Sequence, residues 1–424
     1  MSYRFLKPKN IANEILDQCK KISTFPTKYI RPKDNQKYIP QLDGLRCLAV
    51  LMVLLWHSTV RIVREGEISP SLQPSVDAVY RFVPHGEVAV DLFFIISGFI
   101  IAKPFLSRAP STWKIADFYL RRLKRIHPPY IIALLLCSLP ILSGFFHVTP
   151  HHNIGLYKNL SASLFYICGI LYNSDFYFIP PTWSLEFEAQ FYIAFPLIML
   201  AYLQIQARKH RMLAATALAC MSIIAASYWH NVHPFDGRFR YAVLAHFHLF
   251  LLGIILSDFS NSLKACQFSQ SKTADLIFAV GLMALLATGI ELNHVNAEAP
   301  GFWLYASIAT GAGLSSCMVF LGALYGKIAK HILSLPWICL TGTMCYSIYL
   351  LHDPLMEGIT KLFIHRITFH SPALLFAFWT VAFLSIAWTA GFIYYICVER
   401  PFMNRKPTSV SPSLETTRLI PTLR

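Results

Sequence analysis

Apolar residues along the chain gather in blocks close to twenty residues long, separated by short polar breaks. Ten blocks stand out, at 42–60, 88–106, 126–146, 183–203, 212–229, 240–257, 274–291, 302–325, 334–356 and 372–396. A helix needs about 20 residues to cross about 30 Å of hydrocarbon, so each block reads as a transmembrane helix. The expected fold is all-α, a polytopic transmembrane helical bundle of about ten spans. The apolar stretch 160–172 is too short for a span and is expected to be interfacial or re-entrant.

Composition agrees. Of 424 residues, 55% are hydrophobic and 14% charged, against about 25% charged in soluble domains. A soluble enzyme and a disordered chain are both excluded. The net charge of +15 raises the question of a nucleic-acid partner, but Lys and Arg form no single basic face. They alternate between loops: with both termini in the cytoplasm, most fall in inner segments, as the positive-inside rule requires. No nucleic-acid partner is expected; the lipid bilayer is. The ten Cys lie mostly inside apolar blocks, without a C-x-x-C pair or zinc spacing, so no metal site is expected. His147, His151 and His152 read as loop histidines. The chain divides into a basic cytoplasmic extension (1–41), a transmembrane domain (42–402) and a cytoplasmic tail (403–424). The extension lacks the apolar core of a cleavable signal peptide.

Ionisable groups inside spans are costly and are functional candidates by default. They are Arg46, His57, Asp91, Glu186, Glu188, His246, His248, His352 and Asp353. Arg46 and His57 are eleven residues apart, three helical turns plus about 20°, so they share a face and are separated by about 16 Å of rise. Snorkelling of Arg46 and an interhelical contact of His57 would give the same pattern. Arg122 and Arg125, at i and i+3, lie side by side with Arg121 and Lys124 on their flanks. They suit a phosphate clamp, since guanidinium groups bind phosphate through forked hydrogen bonds, although composition alone favours an ordinary lipid-headgroup anchor. Ser184 and Glu188, at i and i+4, share a face, with Trp183 at interface level. Asp91 and His352 fall at a depth similar to His57. His246 and His248 point to different faces and read as packing or cavity-lining groups.

Six segments carry a resemblance when taken in order: Leu42-Asp43-Gly44-Leu45-Arg46 with His57; Asp91 to Phe99; Arg122-x-x-Arg125; Trp183-Ser184-Leu185-x-x-Glu188-x-Gln190-Phe191-Tyr192; Tyr349-Leu350-Leu351-His352; and Glu399-Arg400-Pro401-Phe402. The chain resembles the acyltransferase-3 family of integral membrane O-acyltransferases, in the stand-alone form without an extracytoplasmic hydrolase domain. The resemblance implies that Arg46 and His57 correspond to the family's essential Arg and His, and Arg122 and Arg125 to its R-x-x-R motif.

It further implies transfer of an acyl group, acetyl by family habit, from acyl-CoA to a hydroxyl of a cell-surface or lipid-linked carbohydrate at the bacterial inner membrane. Acyl-CoA would be a co-substrate, with no cofactor tightly bound. Expected roles are His57 as general base, oriented by Glu188 or Asp91, with Arg46, Arg122, Arg125, Ser97, Trp183 and His352 in substrate binding. A covalent intermediate on His57 or Ser97 is the variant mechanism, and no G-x-S-x-G elbow supports it. A proton-coupled transporter built on the buried His, Asp and Glu is the rival function, opposed by the lack of an internal repeat. A membrane scaffold or lipid flippase with a headgroup-gripping basic face is a further rival.

Overall fold

The computed structural model describes residues 24–30, 38–65, 73–144, 155–172, 178–233, 242–263, 271–294, 301–367, 369 and 371–403. His147, His151 and His152, most of the amino-terminal extension and nearly all of the tail lie outside them. The described chain is all-helical, with no β-strand beyond an isolated bridge between Ser271 and Gly326.

The long helices are α1 (Pro40–Glu65), α3 (Glu87–Leu106), α4 (Ile115–Leu142), α7 (Trp183–Gln204), α8 (Arg208–Val232), α9 (Val243–Leu263), α10 (Lys272–His294), α11 (Phe302–Tyr325), α14 (Cys345–Phe363) and α15 (Pro372–Tyr394). Shorter pieces are α2 (Gln73–Phe82), α5 (Leu156–Leu164), α6 (Cys168–Tyr172), α12 (Lys327–Leu333), α13 (Pro336–Thr343) and α16 (Arg400–Met403). Among the described residues nine helical stretches are long and apolar enough to span a membrane. The protein is a multi-pass membrane helical bundle.

Three details differ from the hydropathy pattern. The block 334–356 is not one helix: Pro336 starts α13, which stops at Thr343, and α14 begins after Met344. Helix α14 also carries His352, Asp353, Glu357 and Lys361, too polar for a continuous apolar span. Helix α4 starts eleven residues before the block at 126, because Pro128 and Pro129 sit inside it and do not stop it, although each removes a ladder donor. Finally, α2 fills part of the expected loop, its charges Asp77 and Arg81 hiding it from a hydropathy window. The 160–172 stretch forms α5 and α6, both too short to cross; the turn between them puts Tyr166 at φ 58°.

The bundle interior is built on α1, α3 and α9, the most enclosed of the spans, while α4, α8, α10 and α15 face outward over most of their length. Helices α3 and α9 approach closely because small residues face each other. A Cβ on Gly98 would run into the backbone of Phe250, and one on Gly253 into that of Ile95. Helix α13 closes on the first turn of α1 in the same way, where Gly342 meets the backbone of Asp43. Aromatic side chains fill the layer below, with Phe191 stacked on Phe250 at 3.8 Å. After α15 the chain passes through a π turn, Tyr395–Glu399.

Gly98→Leu should therefore force α3 and α9 apart, a cost of about 1–3 kcal/mol or more. In detergent the variant is expected to show a lower melting temperature and a smaller monodisperse fraction. Gly155→Ala, where an added Cβ meets nothing within 4 Å, should leave both unchanged.

Candidate active site

Helix α1 carries Arg46 near one end and His57 near the other, and each end gathers a polar cluster from other helices. At the first end Arg46 Nη1 donates to Asp43 Oδ1 at 2.6 Å, both side chains being buried. Asp43 also accepts from Tyr38 at 3.0 Å and from Thr343 of α13 at 3.3 Å. Burial and the Asp43 charge hold the Tyr38 phenol well above its ordinary pKa, so Tyr38 remains a donor. Arg125 lies within the electrostatic reach of Arg46, Arg122, Glu399 and Tyr192, and the Arg122 guanidinium stands over the Tyr192 ring at 5.7 Å. Three arginines from α1 and α4 thus converge on one end of the bundle. Such a cluster suits an anion with more than one charge.

Glu188 lies between the two ends. It accepts from Ser97 of α3 at 2.9 Å and from Tyr192 one turn along α7, and it interacts electrostatically with Arg46. Ser97 is therefore engaged with a carboxylate, and among the described residues no imidazole pairs with it to make it a nucleophile.

At the far end His57, whose side chain is 26% exposed, places Nδ1 3.3 Å from Asp353 Oδ1. Arg61, one turn beyond His57, reaches the same carboxylate at 3.2 and 3.3 Å and is itself tied to Glu65 at 2.9 Å. The His352 ring lies edge-on to His57, 4.9 Å between centroids. His352 is fully buried, its Nδ1 2.8 Å from the Tyr349 carbonyl. The Tyr349 hydroxyl in turn pairs with Ser184 at 2.7 Å and with the Pro181 carbonyl, which ties the start of α7 to α14.

Glu188 or Asp91 is the carboxylate expected to orient His57; the carboxylate that the structure places beside the His57 ring is that of Asp353. Glu188 sits too deep, committed to Ser97 and Tyr192. Asp91 faces α9, 3.6 Å from His246 Nδ1. Trp183 is more than an interfacial anchor, since its ring packs on Phe187 at 5.4 Å and on His246 at 6.0 Å. Hydropathy passes over Arg61 because it follows the apolar block, and it gives Asp353 no role beyond that of a membrane-embedded acid. The position of Asp353 next to His352 is the available signal. Among the described residues no cluster of three or more His, Cys, Asp or Glu could hold a metal.

Glu186, also buried, braces the scaffold by accepting the backbone N–H groups of Gly169 and Ile170 at 3.0 and 3.2 Å. This fixes α6 to α7. Glu186→Gln removes the charge from those bonds, which is worth about 1–3 kcal/mol. Faster proteolytic cleavage within 155–172 is expected, with the rest of the bundle intact on a gel.

Comparison with known proteins identifies one family. The Acyltransferase domain profile, acyltransferase-3, matches residues 39–397. The chain is 23% identical over 352 residues to a Staphylococcus aureus (strain COL) protein named "Putative O-acetyltransferase SACOL0978", covering 80% of this chain and 54% of that protein. It is 25% identical over 348 residues to O-acetyltransferase OatA of Staphylococcus aureus (strain NCTC 8325 / PS 47), covering 78% of this chain and 52% of OatA. The chain thus spans about half the length of these curated relatives. No solved structure matches it.

Proposed function

The chain belongs to the acyltransferase-3 family, and on that premise we propose that it is a membrane-embedded O-acetyltransferase that moves an acetyl group from acetyl-CoA to a carbohydrate hydroxyl. Its OatA relative bears the name O-acetyltransferase. What supports the assignment most is the arrangement along α1, with a three-arginine cluster at one end and the His57–Asp353 pair about 16 Å of helical rise away. The phosphates of coenzyme A would rest on Arg122, Arg125 and Arg46. The pantetheine arm would then run past Glu188 and Ser97 toward His57. The arginine end faces the cytoplasm on this reading, where the donor is found and where the positive-inside rule places it. The membrane is the bacterial inner membrane, with both termini cytoplasmic.

The chemistry then follows from the tautomer. With Nδ1–H of His57 directed to Asp353, Nε2 carries the lone pair and accepts the proton of the acceptor hydroxyl. The hydroxyl oxygen attacks the thioester carbonyl, an ester C–O bond forms, and the C–S bond breaks. The departing coenzyme A thiolate takes up the proton. Asp353 steadies the imidazolium between these steps, and Arg61 holds Asp353 in place. Direct transfer needs no covalent enzyme intermediate.

The test is acetyl transfer by the purified, reconstituted full chain with radiolabelled acetyl-CoA and surface glycan extracted from a deletion strain. His57→Ala should lower the rate by about 10²–10⁴-fold at equal membrane abundance; a normal rate overturns the base assignment. Asp353→Asn should reduce kcat with little change in KM for the donor. Arg122→Ala should do the reverse, raising donor KM by about 10-fold or more, as loss of a charged hydrogen bond does. An unchanged donor KM removes the clamp.

A further inference from the structure

A recess lies at the His57 end of the bundle, and the acetyl-transfer steps make no use of it. The starts of α3, α9 and α11 and the end of α10 surround it, and Glu87, Asp91, His246, His248, Leu292 and Tyr305 are among its walls. It belongs to the same end as His57. Trp56, the neighbour of His57, packs on His85 at 4.2 Å between ring centroids, just before α3 begins. His85 also donates its backbone N–H to Gly289 near the end of α10, at 3.0 Å.

Two polar atoms in these walls are unusual. Asp91 is 8% exposed and His248 3%, yet Asp91 Oδ1 and His248 Nδ1 make no hydrogen bond among the described residues. His246 Nδ1 stands 3.6 Å from Asp91 Oδ1, beyond hydrogen-bond length. Leaving such groups unsatisfied in a bundle surrounded by hydrocarbon costs several kcal/mol each. Behind this wall the His246 ring is backed by Phe187 at 4.7 Å and Phe94 at 5.6 Å. On one side Tyr305 is held rigid by stacking on His230 at 4.3 Å.

A carboxylate oxygen, imidazole nitrogens and the Tyr305 ring within one recess are groups that take up vicinal hydroxyls and the apolar face of a sugar ring. Glu87 and Asp91 on the same wall oppose an anionic ligand. We propose that this recess is a subsite for an uncharged pyranose unit of the acceptor, next to the unit whose hydroxyl meets His57. The inference rests on the acetyltransferase reading for its place in the reaction, but not for the binding itself. The link between the two sites runs through the start of α7. Trp183 touches His246, and Ser184 bonds Tyr349, whose ring neighbour along α14 is His352.

The test uses the full chain in nanodiscs and methyl β-glucopyranoside, methyl β-galactopyranoside and methyl N-acetyl-β-glucosaminide as probes, read by saturation-transfer NMR. At least one glycoside should receive saturation from the wild type, and glucuronate should receive much less. Asp91→Asn and Tyr305→Leu should each weaken that binding by about tenfold, while acetyl-CoA binding, measured on the same samples, stays as in the wild type. Tyr305 is half-buried at a helix start, so its variant guards against misfolding in the Asp91 variant. Glycoside signals that are absent from the wild type, unchanged in both variants, or matched by glucuronate overturn the subsite. Glycoside binding that behaves as expected in a protein that does not bind acetyl-CoA upholds the subsite and removes the acetyltransferase reading instead.

Discussion

A charge inside hydrocarbon has to be met by another group of the protein, and in this bundle those meetings join separate helices. Asp353 of α14 is held by His57 and Arg61 of α1. Glu188 of α7 is held by Ser97 of α3, and Asp43 of α1 by Thr343 of α13. Away from the site, Asp258 of α9 takes a two-pronged bond from Arg211 of α8, at 2.6 and 2.8 Å, and one from Tyr202 of α7 at 2.9 Å. Ser347 of α14 donates to Glu399 in the π turn at 2.6 Å. Because desolvation offsets much of the attraction in such pairs, their main structural consequence is position. They set the depth and rotation of apolar helices that would otherwise slide past one another with little cost.

That constraint explains which features are legible in the amino-acid sequence. Hydrocarbon thickness imposes helix length, so the spans appear as blocks, and residues on a single helix can be placed by arithmetic. Arg46 and His57 do sit at opposite ends of α1. The break at Met344 is marked only by the short run Thr341-Gly342-Thr343, which the apolar residues on either side of it outweigh in the hydropathy pattern. Helix α2 is hidden for the opposite reason, its polar residues lowering the local hydropathy.

Partners across helices are harder to read. In α3, α7 and α15 the lipid-facing and protein-facing sides are nearly equally apolar, so periodicity carries little information about rotation. Glu188 shares a face with Ser184 that looks into the bundle, yet Ser184 stands level with Tyr349, and Glu188 lies one turn deeper. Asp353 needs only the observation that its neighbour His352 shares the depth of His57.

The distribution of charge along the bundle bears on how two substrates could share one passage. On the acetyltransferase reading, the polyanionic part of the donor meets Arg46, Arg122 and Arg125, while at the far end Asp353 is paired with His57 and Arg61, and Glu357 with Arg61 and Lys361. Like charges in a medium of low dielectric repel over longer distances than in water. The phosphates are held at the arginine end, and the uncharged arm with its thioester extends toward His57. Arg61 shields Asp353 locally, which lets a neutral thioester and a sugar hydroxyl meet beside a carboxylate without passing a bare negative charge. A donor carrying a terminal carboxylate, such as succinyl-CoA, would lose this advantage at the final step, so the same electrostatics that position acetyl-CoA also select an uncharged acyl group.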